Sequence, residues 1–227
     1  MPRNPDAIRV CMTGSLMGQS APYHLAKPAL LRRPMATAAK TYLTREQYLK
    51  IERAAGFRSE YYRGEMFAMT GPSRRHNLIA VNISSELRTQ FKLRPCEVYQ
   101  SDMRIKVQTS GLYTYPDVVV TCQQPRFEDD VMDTLLNPQV IVEVLSDSTE
   151  QYDRGKKLGL YRQIESLKQY LLVSQDSQLV EKYTRQDDDQ WLMWDTSNPE
   201  AQVAVEAGNC VLAMAEIYFK VDFDDEN

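Results

Sequence analysis

The stretch Val140-Ile141-Val142-Glu143-Val144-Leu145 decides the fold of this chain, because it carries one acidic residue inside an otherwise apolar run. A short run of this kind predicts a β-strand buried on both faces, over Gln139 to Leu145. An ionised carboxylate in such a strand costs several kcal/mol unless a cation or hydrogen-bond donors compensate it. Glu143 is therefore predicted to have a partner in the folded protein.

The carboxylate of Asp117 is also predicted to need a compensating partner. Asp117 follows a proline and directly precedes the apolar run Val118-Val119-Val120, which predicts another buried strand. If the two strands are neighbours, the carboxylates of Asp117 and Glu143 can converge on one cation. Mg²⁺ is typically bound through one or two carboxylates, waters and a substrate phosphate. The pair therefore predicts a site for Mg²⁺ or Mn²⁺.

The segment that follows the Glu143 strand brings a lysine back towards it. A polar run over Ser146 to Thr149 ends the strand, and a helix is predicted from Asp153 to about Ile164. Lys157 on this helix can point at the two acids, where an ammonium stabilises the negative charge that develops during phosphodiester hydrolysis. The alternative is a solvated lysine, or one paired with Asp153 at i,i+4.

The remaining chain predicts a mixed β-sheet flanked by helices, an α/β (α+β) fold with the order α-β-β-α-β-β-β-β-α-β-β-β. A capping box at Thr44 predicts the first helix, and Ser73 caps the second. The helices are predicted over Arg45 to Ala55 and from Ser73 to near Pro95. The remaining strands are predicted over Phe57 to Tyr62, Glu65 to Met69, Glu97 to Gln100, Met103 to Val107, Tyr170 to Ser174, Leu179 to Tyr183 and Gln190 to Trp194.

Length and composition are those of one globular domain. The chain has 227 residues, of which 43% are hydrophobic and 26% charged, so a core can form. We expect a domain over residues 41–223, a disordered proline-containing arm over residues 1–40 and an acidic tail over residues 224–227. Met35 stands just before the first predicted element and is an alternative start of translation. No apolar run approaches the roughly 20 residues that span a bilayer.

The four cysteines are scattered, with no C-x-x-C pair and no histidine at zinc-like spacing. This distribution indicates neither a disulfide framework nor a zinc site, and it favours a cytoplasmic location. The net charge of −4 argues weakly against a protein that coats nucleic acid, but it leaves room for an enzyme acting on DNA. Runs of acidic residues, such as Glu128-Asp129-Asp130, are interpreted as solvated loops.

Two runs of residues also resemble a known family, the Uma family of "putative restriction endonucleases". They are Tyr115-Pro116-Asp117-Val118-Val119-Val120 and Val142-Glu143-Val144-Leu145-Ser146-x-Ser148-Thr149-x-x-x-Asp153-x-x-x-Lys157-x-x-x-Tyr161. Ser59 to Glu65, Met69 to His76 and Glu165 to Val173 extend the similarity, so that it covers about Thr41 to Phe223.

The resemblance implies a restriction-endonuclease-like fold of the PD-(D/E)-x-K type, with Asp117 as the motif aspartate and Glu143 as the second acid. The usual motif places its lysine two residues after the second acid, where this chain has Leu145. The family's lysine is displaced onto the following helix, which matches Lys157 rather than its neighbour Lys156. The chain also departs from the family at Asp147, where the family often has proline. An acidic insertion over Cys122 to Asn137 is a second departure and sets Asp117 and Glu143 26 residues apart.

Several other residues are candidates for the same site. Glu60 in the predicted hairpin is a further candidate catalytic acid, and a solvent-facing strand carboxylate is the alternative. His76 near a helix start could contact phosphate or assist proton transfer, although ordinary helix-end hydrogen bonding is favoured. Arg74 and Arg75 are candidate contacts to the DNA backbone, with a solvated helix face as the alternative.

These residues predict a metal-dependent endonuclease that hydrolyses DNA, with Asp117, Glu143, Lys157 and Glu60 as catalytic residues. We expect a homodimer, because a domain of this size cannot easily cut both strands at once. The competing hypothesis is a catalytically silent nuclease-fold protein that serves as a binding or assembly module. A glycosidase using the two acids is less favoured, because such an enzyme would not account for Lys157.

Overall fold

The computed structural model describes residues 42–147 and 149–224, and all element bounds refer to these residues. The helices are α1 (Arg45–Ala54), α2 (Arg74–Phe91), α3 (Glu150–Tyr152), α4 (Leu158–Tyr161) and α5 (Met214–Ile217), with a π-helical turn (Asp153–Lys157) joining α3 to α4. The strands are β1 (Ser59–Tyr62), β2 (Glu65–Ala68), β3 (Glu97–Gln100), β4 (Arg104–Val107), β5 (Leu112–Thr114), β6 (Val118–Thr121), β7 (Thr134–Leu135), β8 (Val140–Leu145), β9 (Gln169–Ser174), β10 (Val180–Arg185), β11 (Trp191–Thr196), β12 (Gln202–Val205) and β13 (Cys210–Ala213).

The described strands form a six-stranded sheet, a five-stranded sheet and a hairpin. The six-stranded sheet has the order β11-β10-β9-β8-β6-β3, and the five-stranded sheet the order β2-β1-β5-β4-β7. Strand β8 lies inside the larger sheet, antiparallel to β6 and parallel to β9. The predicted mixed sheet is confirmed, and its central strand is the one that carries Glu143.

Local sequence signals determine where the first two helices begin. The Thr44 hydroxyl accepts a hydrogen bond from the Gln47 amide, and the Gln47 side chain accepts one from the Thr44 amide, which completes the predicted capping box. Ser73 caps α2 by accepting from the backbone of His76. Between these helices, Arg63 and Gly64 both have positive φ, which closes the predicted β1–β2 hairpin with a two-residue turn.

Two hydrophobic clusters pack against opposite faces of β8. Val140, Val142 and Val144 lie in the cluster that contains α2, whereas Ile141 and Leu145 lie in the cluster that contains α4. Because side chains alternate along a strand, Glu143 shares the face of Ile141 and Leu145. The carboxylate is thereby directed under the segment that carries Lys157.

Several elements differ from the sequence predictions. Strands β5 and β7 and the C-terminal β12–β13 hairpin with α5 were not predicted; β5 and β7 contain only three and two residues, too few for a periodicity to show. The lysine-bearing helix begins at Glu150 rather than Asp153, and it ends at Tyr161 rather than Ile164. The arm over residues 1–40 lies outside the described residues, as do the last three residues of the acidic tail.

The prediction that no disulfide would form is wrong. Cys96 and Cys122 are joined by a disulfide with a Cα–Cα distance of 3.9 Å. They lie one residue beyond the Glu97–Thr121 pair of β3 and β6, so the antiparallel register brings them together across 26 residues of sequence. The spacing of the cysteines in the sequence could not reveal this pairing. Because a disulfide is present, the cysteines no longer support a reducing compartment. The cytoplasmic location remains a prediction.

The acidic run Glu128-Asp129-Asp130 lies in a surface loop, as predicted, with Asp129 and Asp130 exposed, but ion pairs also tie this acidic insertion to the domain. The Arg53 guanidinium contacts Asp129 at 2.7 Å and Asp133 at 2.8 Å, which ties the insertion to α1. Glu128 accepts a hydrogen bond of 2.8 Å from the Tyr113 hydroxyl. These acids therefore dock the insertion on the domain.

No helix in the described part of the chain is long and apolar enough to cross a bilayer.

Gly208 lies in the turn between β12 and β13, and its substitution tests how this turn packs against α2 and the disulfide. Its φ is +78°, and a Cβ added there would lie 2.5 Å from the Phe91 ring and 2.9 Å from Cys96 Sγ. We expect Gly208→Ala to lower the free energy of unfolding by about 2 kcal/mol or more, through backbone strain and overpacking. Gly159→Ala is the control, because a Cβ at this helical position meets nothing within 4 Å. Urea denaturation measures both, and equal stability of the two variants would contradict the described packing.

Candidate active site

Asp117 and Glu143 lie side by side on neighbouring strands. Val118 pairs with Val142 in the antiparallel β6–β8 ladder, and continuing the register by one residue places Asp117 opposite Glu143. The Val144 amide donates a hydrogen bond of 2.7 Å to Asp117 Oδ2, which fixes the aspartate at the entrance to β6. The sheet register therefore places the two residues opposite each other, and the convergence of their carboxylates on one cation remains a prediction.

Glu143 is buried, with 5% of its surface exposed. Its Oε1 atom lies 2.9 Å from Lys157 Nζ and accepts a hydrogen bond of 2.7 Å from the Tyr161 hydroxyl. Tyr161 follows Lys157 by four residues and therefore projects from the same side of the helical segment. That spacing is a signal from which the role of Tyr161 could have been inferred.

The π-helical turn presents Lys157 to three carboxylates. Besides Glu143, its Nζ atom lies 3.2 Å from Glu60 Oε1 and 3.4 Å from Asp153 Oδ1. The Asp153 contact is the i,i+4 pair anticipated as an alternative, and it coexists with the contact to Glu143. Lys156 is exposed, with its Nζ 4.6 Å from the centre of the Tyr62 ring. Of the two neighbouring lysines, Lys157 is the one at the acids.

Glu60 reaches this group from the other sheet. It lies on β1, and the Thr114 hydroxyl of β5 donates a hydrogen bond to the same Oε1 atom that faces Lys157. Its side chain is only 13% exposed, so the alternative of a solvent-facing strand carboxylate does not apply. Thr114 was not identified from the sequence, because its strand was not.

His76 contacts Asp117 directly. Its Nε2 atom lies 2.8 Å from Asp117 Oδ1, and both side chains are largely buried. The expected helix-end hydrogen bond is made by the His76 backbone to Ser73, which leaves the imidazole free to hold the aspartate. The arrangement resembles an outer-shell contact, in which a second group orients a ligating carboxylate.

The charges in this cluster do not balance unless a further positive charge or proton is present. Burial raises the pKa of Glu143 to about 8, although the Lys157 ammonium opposes this shift. Burial likewise raises the pKa of Asp153. Burial alone would lower the pKa of Lys157, but the attraction of Glu143, Glu60 and Asp153 raises it well above its ordinary value. Lys157 is therefore a fixed cation beside acids that tend to retain a proton.

The other residues considered for the site lie outside the group of acids around Lys157. Arg75 is buried and donates hydrogen bonds to the backbone carbonyls of Asp222 and Phe223, so the prediction that it contacts DNA is wrong. Arg74 is exposed near the start of α2 and remains a candidate for such a contact. Asp147 is exposed beyond the end of β8.

The comparison with protein families is consistent with this site and fold. Residues 45–214 match the sequence profile of the family Uma2, which is described as "Putative restriction endonuclease". The chain belongs to this family. The match extends from α1 to the start of α5 and includes all of the residues that gather around Lys157.

Curated relatives and a solved structure agree with the assignment to Uma2. Two proteins of Synechocystis sp., the uncharacterized proteins sll1609 and slr1290, are 37% and 39% identical to the chain. The aligned regions cover 74% and 66% of this chain, and 96% and 78% of those proteins. The crystal structure of a "putative nuclease belonging to DUF820" from Anabaena variabilis superposes with a TM-score of 0.63 at 22% identity, over 76% of this chain and 96% of that one. This likeness shows the fold.

The two acids of this Uma2 chain fit a hard divalent cation. The described residues contain no group of three or more His, Cys, Asp and Glu side chains placed to hold a metal ion. Zinc sites need three or four such ligands, whereas Mg²⁺ accepts one or two carboxylates and completes its shell with water and phosphate. The contacts of Glu143 to Lys157 and Tyr161 both fall on Oε1, which leaves Oε2 for a cation.

Replacing Lys157 tests the charge balance of the cluster. We expect Lys157→Met to lower the free energy of unfolding by about 3 kcal/mol at pH 8, because buried carboxylates lose their cation. The loss should shrink towards pH 5. In the variant, the buried acids keep their protons in the native state, whereas the unfolded state releases them above about pH 4.5. The free energy of unfolding of the variant therefore falls more steeply with rising pH than that of the wild type.

Chemical denaturation of both proteins at pH 5 and pH 8 measures this difference. Lys156→Met is the matched control, because the exposed neighbour should change stability by no more than about 0.5 kcal/mol. A Lys157→Met effect that is equally large at both pH values would contradict the proposed charge balance.

Proposed function

We propose that this protein is an endonuclease that depends on Mg²⁺ or Mn²⁺ and hydrolyses phosphodiester bonds of DNA. The family is described as "Putative restriction endonuclease", and the geometry of one group of side chains supports the specific chemistry. Asp117 and Glu143 are adjacent across β6 and β8, and a buried ammonium lies 2.9 Å from the second acid. Two carboxylates and one lysine suffice for metal-assisted phosphodiester hydrolysis.

Asp117 and Glu143 would hold the metal ion. A bound ion would supply polarisation of the scissile phosphate and a lowered pKa for the attacking water. The strand register sets the spacing of the two carboxylates before any ligand arrives, so binding requires little rearrangement of the backbone. His76 restrains the Asp117 carboxylate through the 2.8 Å contact to Oδ1.

Lys157 would act on the charge that develops on the phosphate. Its ammonium remains protonated because Glu143, Glu60 and Asp153 surround it, and its burial limits the screening of its charge by solvent. Glu60 and Tyr161 restrict where the ammonium and the Glu143 carboxylate can move. A preorganised positive charge of this kind stabilises the transition state at little cost of reorganisation.

Nicking of supercoiled plasmid DNA tests the proposal. We expect cleavage with Mg²⁺ or Mn²⁺ and none in excess chelator. Glu143→Gln and Asp117→Asn should each reduce the rate by about 100-fold or more, the effect typical of removing one group that stabilises transition-state charge. Asp147→Asn is the matched control, because this exposed acid lies outside the cluster and should leave the rate unchanged.

Two results would contradict the proposal. One is the absence of metal-dependent cleavage on duplex, single-stranded and supercoiled DNA and on RNA. The other is undiminished cleavage by Glu143→Ala. If calorimetric titration also showed no binding of Mg²⁺ or Mn²⁺, the competing hypothesis of a silent binding module would be favoured.

A further inference from the structure

The β1–β2 hairpin presents exposed apolar side chains beside the acid and lysine group. Phe67 on β2 is 48% exposed, and Met69, just after the strand, is 38% exposed. Phe67 pairs with Glu60 across the hairpin, and residues directly opposite in a ladder share a face, with Cβ atoms about 5 Å apart. Glu60 in turn lies 3.2 Å from Lys157. An exposed phenylalanine therefore borders the proposed active site.

Two cations lie near the neighbouring aromatic ring of the hairpin. Tyr62 follows Glu60 by two residues and therefore shares its face, about 7–8 Å diagonally from Phe67 in the ladder. Lys156 Nζ lies 4.6 Å, and the guanidinium carbon of Arg63 5.1 Å, from the centre of the Tyr62 ring. Both cations are exposed, and neither forms an ion pair within the described part of the chain.

This surface, which we call the hairpin rim, consists of Tyr62, Arg63, Phe67, Met69 and Lys156. It adjoins the acid and lysine group on two sides. Phe67 lies opposite Glu60, and the ammonium that contacts Glu60 also contacts Glu143. The chain that leaves β2 leads into α2, whose first turn carries the histidine that contacts Asp117. Nucleotides that flank a phosphate at the two acids would therefore lie within reach of the rim.

The chemistry of the hairpin rim fits one form of nucleic acid better than another. A duplex is held mainly through its phosphates, by a surface of consistent positive charge. The rim is not such a surface, because Glu65 lies opposite Tyr62 in the hairpin. A single strand also offers the faces of its bases, and surfaces that bind single strands combine cations with aromatic rings on which bases stack. The rim has both features.

A contact between two copies of the chain would also cover Phe67 and Met69. The centre of a protein interface is depleted of lysine, however, and is built from apolar and aromatic side chains. In the hairpin rim the exposed ammonium of Lys156 lies beside the rings and has no carboxylate partner in the described part of the chain. The unpaired cations therefore favour a polyanion as the occupant.

We propose that the hairpin rim holds single-stranded or locally unpaired DNA at the acids, with a base stacked on Phe67 and phosphates beside Lys156 and Arg63. The inference rests on the proposed function, because it names the form of DNA that supplies the scissile phosphate. The substrate is then a single strand, an unpaired loop or an opened region of supercoiled DNA. A continuous relaxed duplex is the poorer substrate, because its bases stack on each other.

Binding of one labelled oligonucleotide to the full chain, alone and annealed to its complement, tests this inference. An oligonucleotide of about 20 nucleotides exceeds the ~4–16 nucleotides that one single-strand-binding domain covers. Fluorescence anisotropy in excess chelator measures affinity without cleavage. We expect the single strand to bind at least about tenfold more tightly than the duplex. Equal affinities, tighter binding of the duplex, or no binding of either would overturn the proposal.

Phe67→Ala tests the stacking. We expect it to weaken binding of the single strand at least about fivefold and to leave duplex binding unchanged. Phe219→Ala is the matched control, because Phe219 is 54% exposed and has the Lys220 ammonium 5.2 Å from its ring, but it lies after α5 and away from the acids. A loss of affinity in both variants, or in neither, would overturn the proposal.

Lys156→Gln tests the phosphate contact separately. Losing one such contact to a single strand should lower the slope of log affinity against log salt concentration by about 0.7, whereas Phe67→Ala should leave this slope unchanged. Lys220→Gln is the control and should retain the wild-type slope. An unchanged slope in Lys156→Gln would overturn the proposal. Because all these side chains are exposed, the variants should keep the wild-type melting temperature, and Lys156→Gln remains decisive if Phe67→Ala does not fold.

Cleavage assays with Mg²⁺ or Mn²⁺ separate this inference from the proposed function. We expect faster cleavage of the single strand than of a relaxed duplex, and we expect Phe67→Ala to raise KM with little change in kcat. Equal cleavage of both forms would overturn the rim inference and keep the endonuclease assignment. Selective binding without cleavage of any DNA would do the reverse. A Phe67→Ala variant that loses a dimer in light scattering but binds DNA normally would assign the rim to a contact between copies and overturn the proposal.

Discussion

The ion pair between Lys157 and Glu143 is the interaction on which the rest of the structure depends. Strand β8 lies inside the larger sheet, with both faces covered, and its one carboxylate shares a face with Ile141 and Leu145. An ionised carboxylate in that strand is compatible with a packed core only if a cation or hydrogen-bond donors compensate its charge. The helical segment over residues 150–161 supplies it, and its π turn buries Lys157 and Asp153 together. A constraint of folding thus assembles the groups that a metal-dependent nuclease needs.

Much of this arrangement could be predicted from local sequence. The apolar run around Glu143 implied burial and hence a partner, and the strand beginning after Asp117 implied a neighbour. The positions of α1, α2 and the first hairpin follow from caps and turn residues. The pairing of His76 with Asp117, across 41 residues, depends on how α2 packs against the sheet. The Cys96–Cys122 bond depends on the register of β3 and β6. Neither leaves a periodic signal in the sequence.

The acid and lysine group shares supporting elements with a buried polar group formed by Glu52, Arg104 and Tyr115. The Ser59 amide of β1 donates to Glu52, and the side chain of the next residue, Glu60, contacts Lys157. The segment leading into β6 places the Tyr115 hydroxyl between Glu52 and Arg104, and it places Asp117 beside β8. The smaller sheet contributes Glu60 and Thr114 to the group around Lys157, and the larger sheet contributes Glu143.

The most direct test of the central claim is a crystal structure of the full chain grown with Mn²⁺, using anomalous scattering to locate the metal. The account predicts a peak between β6 and β8, with one oxygen of Asp117 and one of Glu143 about 2.1 Å from it and Lys157 still beside Glu143. A chain that is saturated with Mn²⁺ in solution but shows no peak at these acids, or whose metal lies elsewhere, would contradict it.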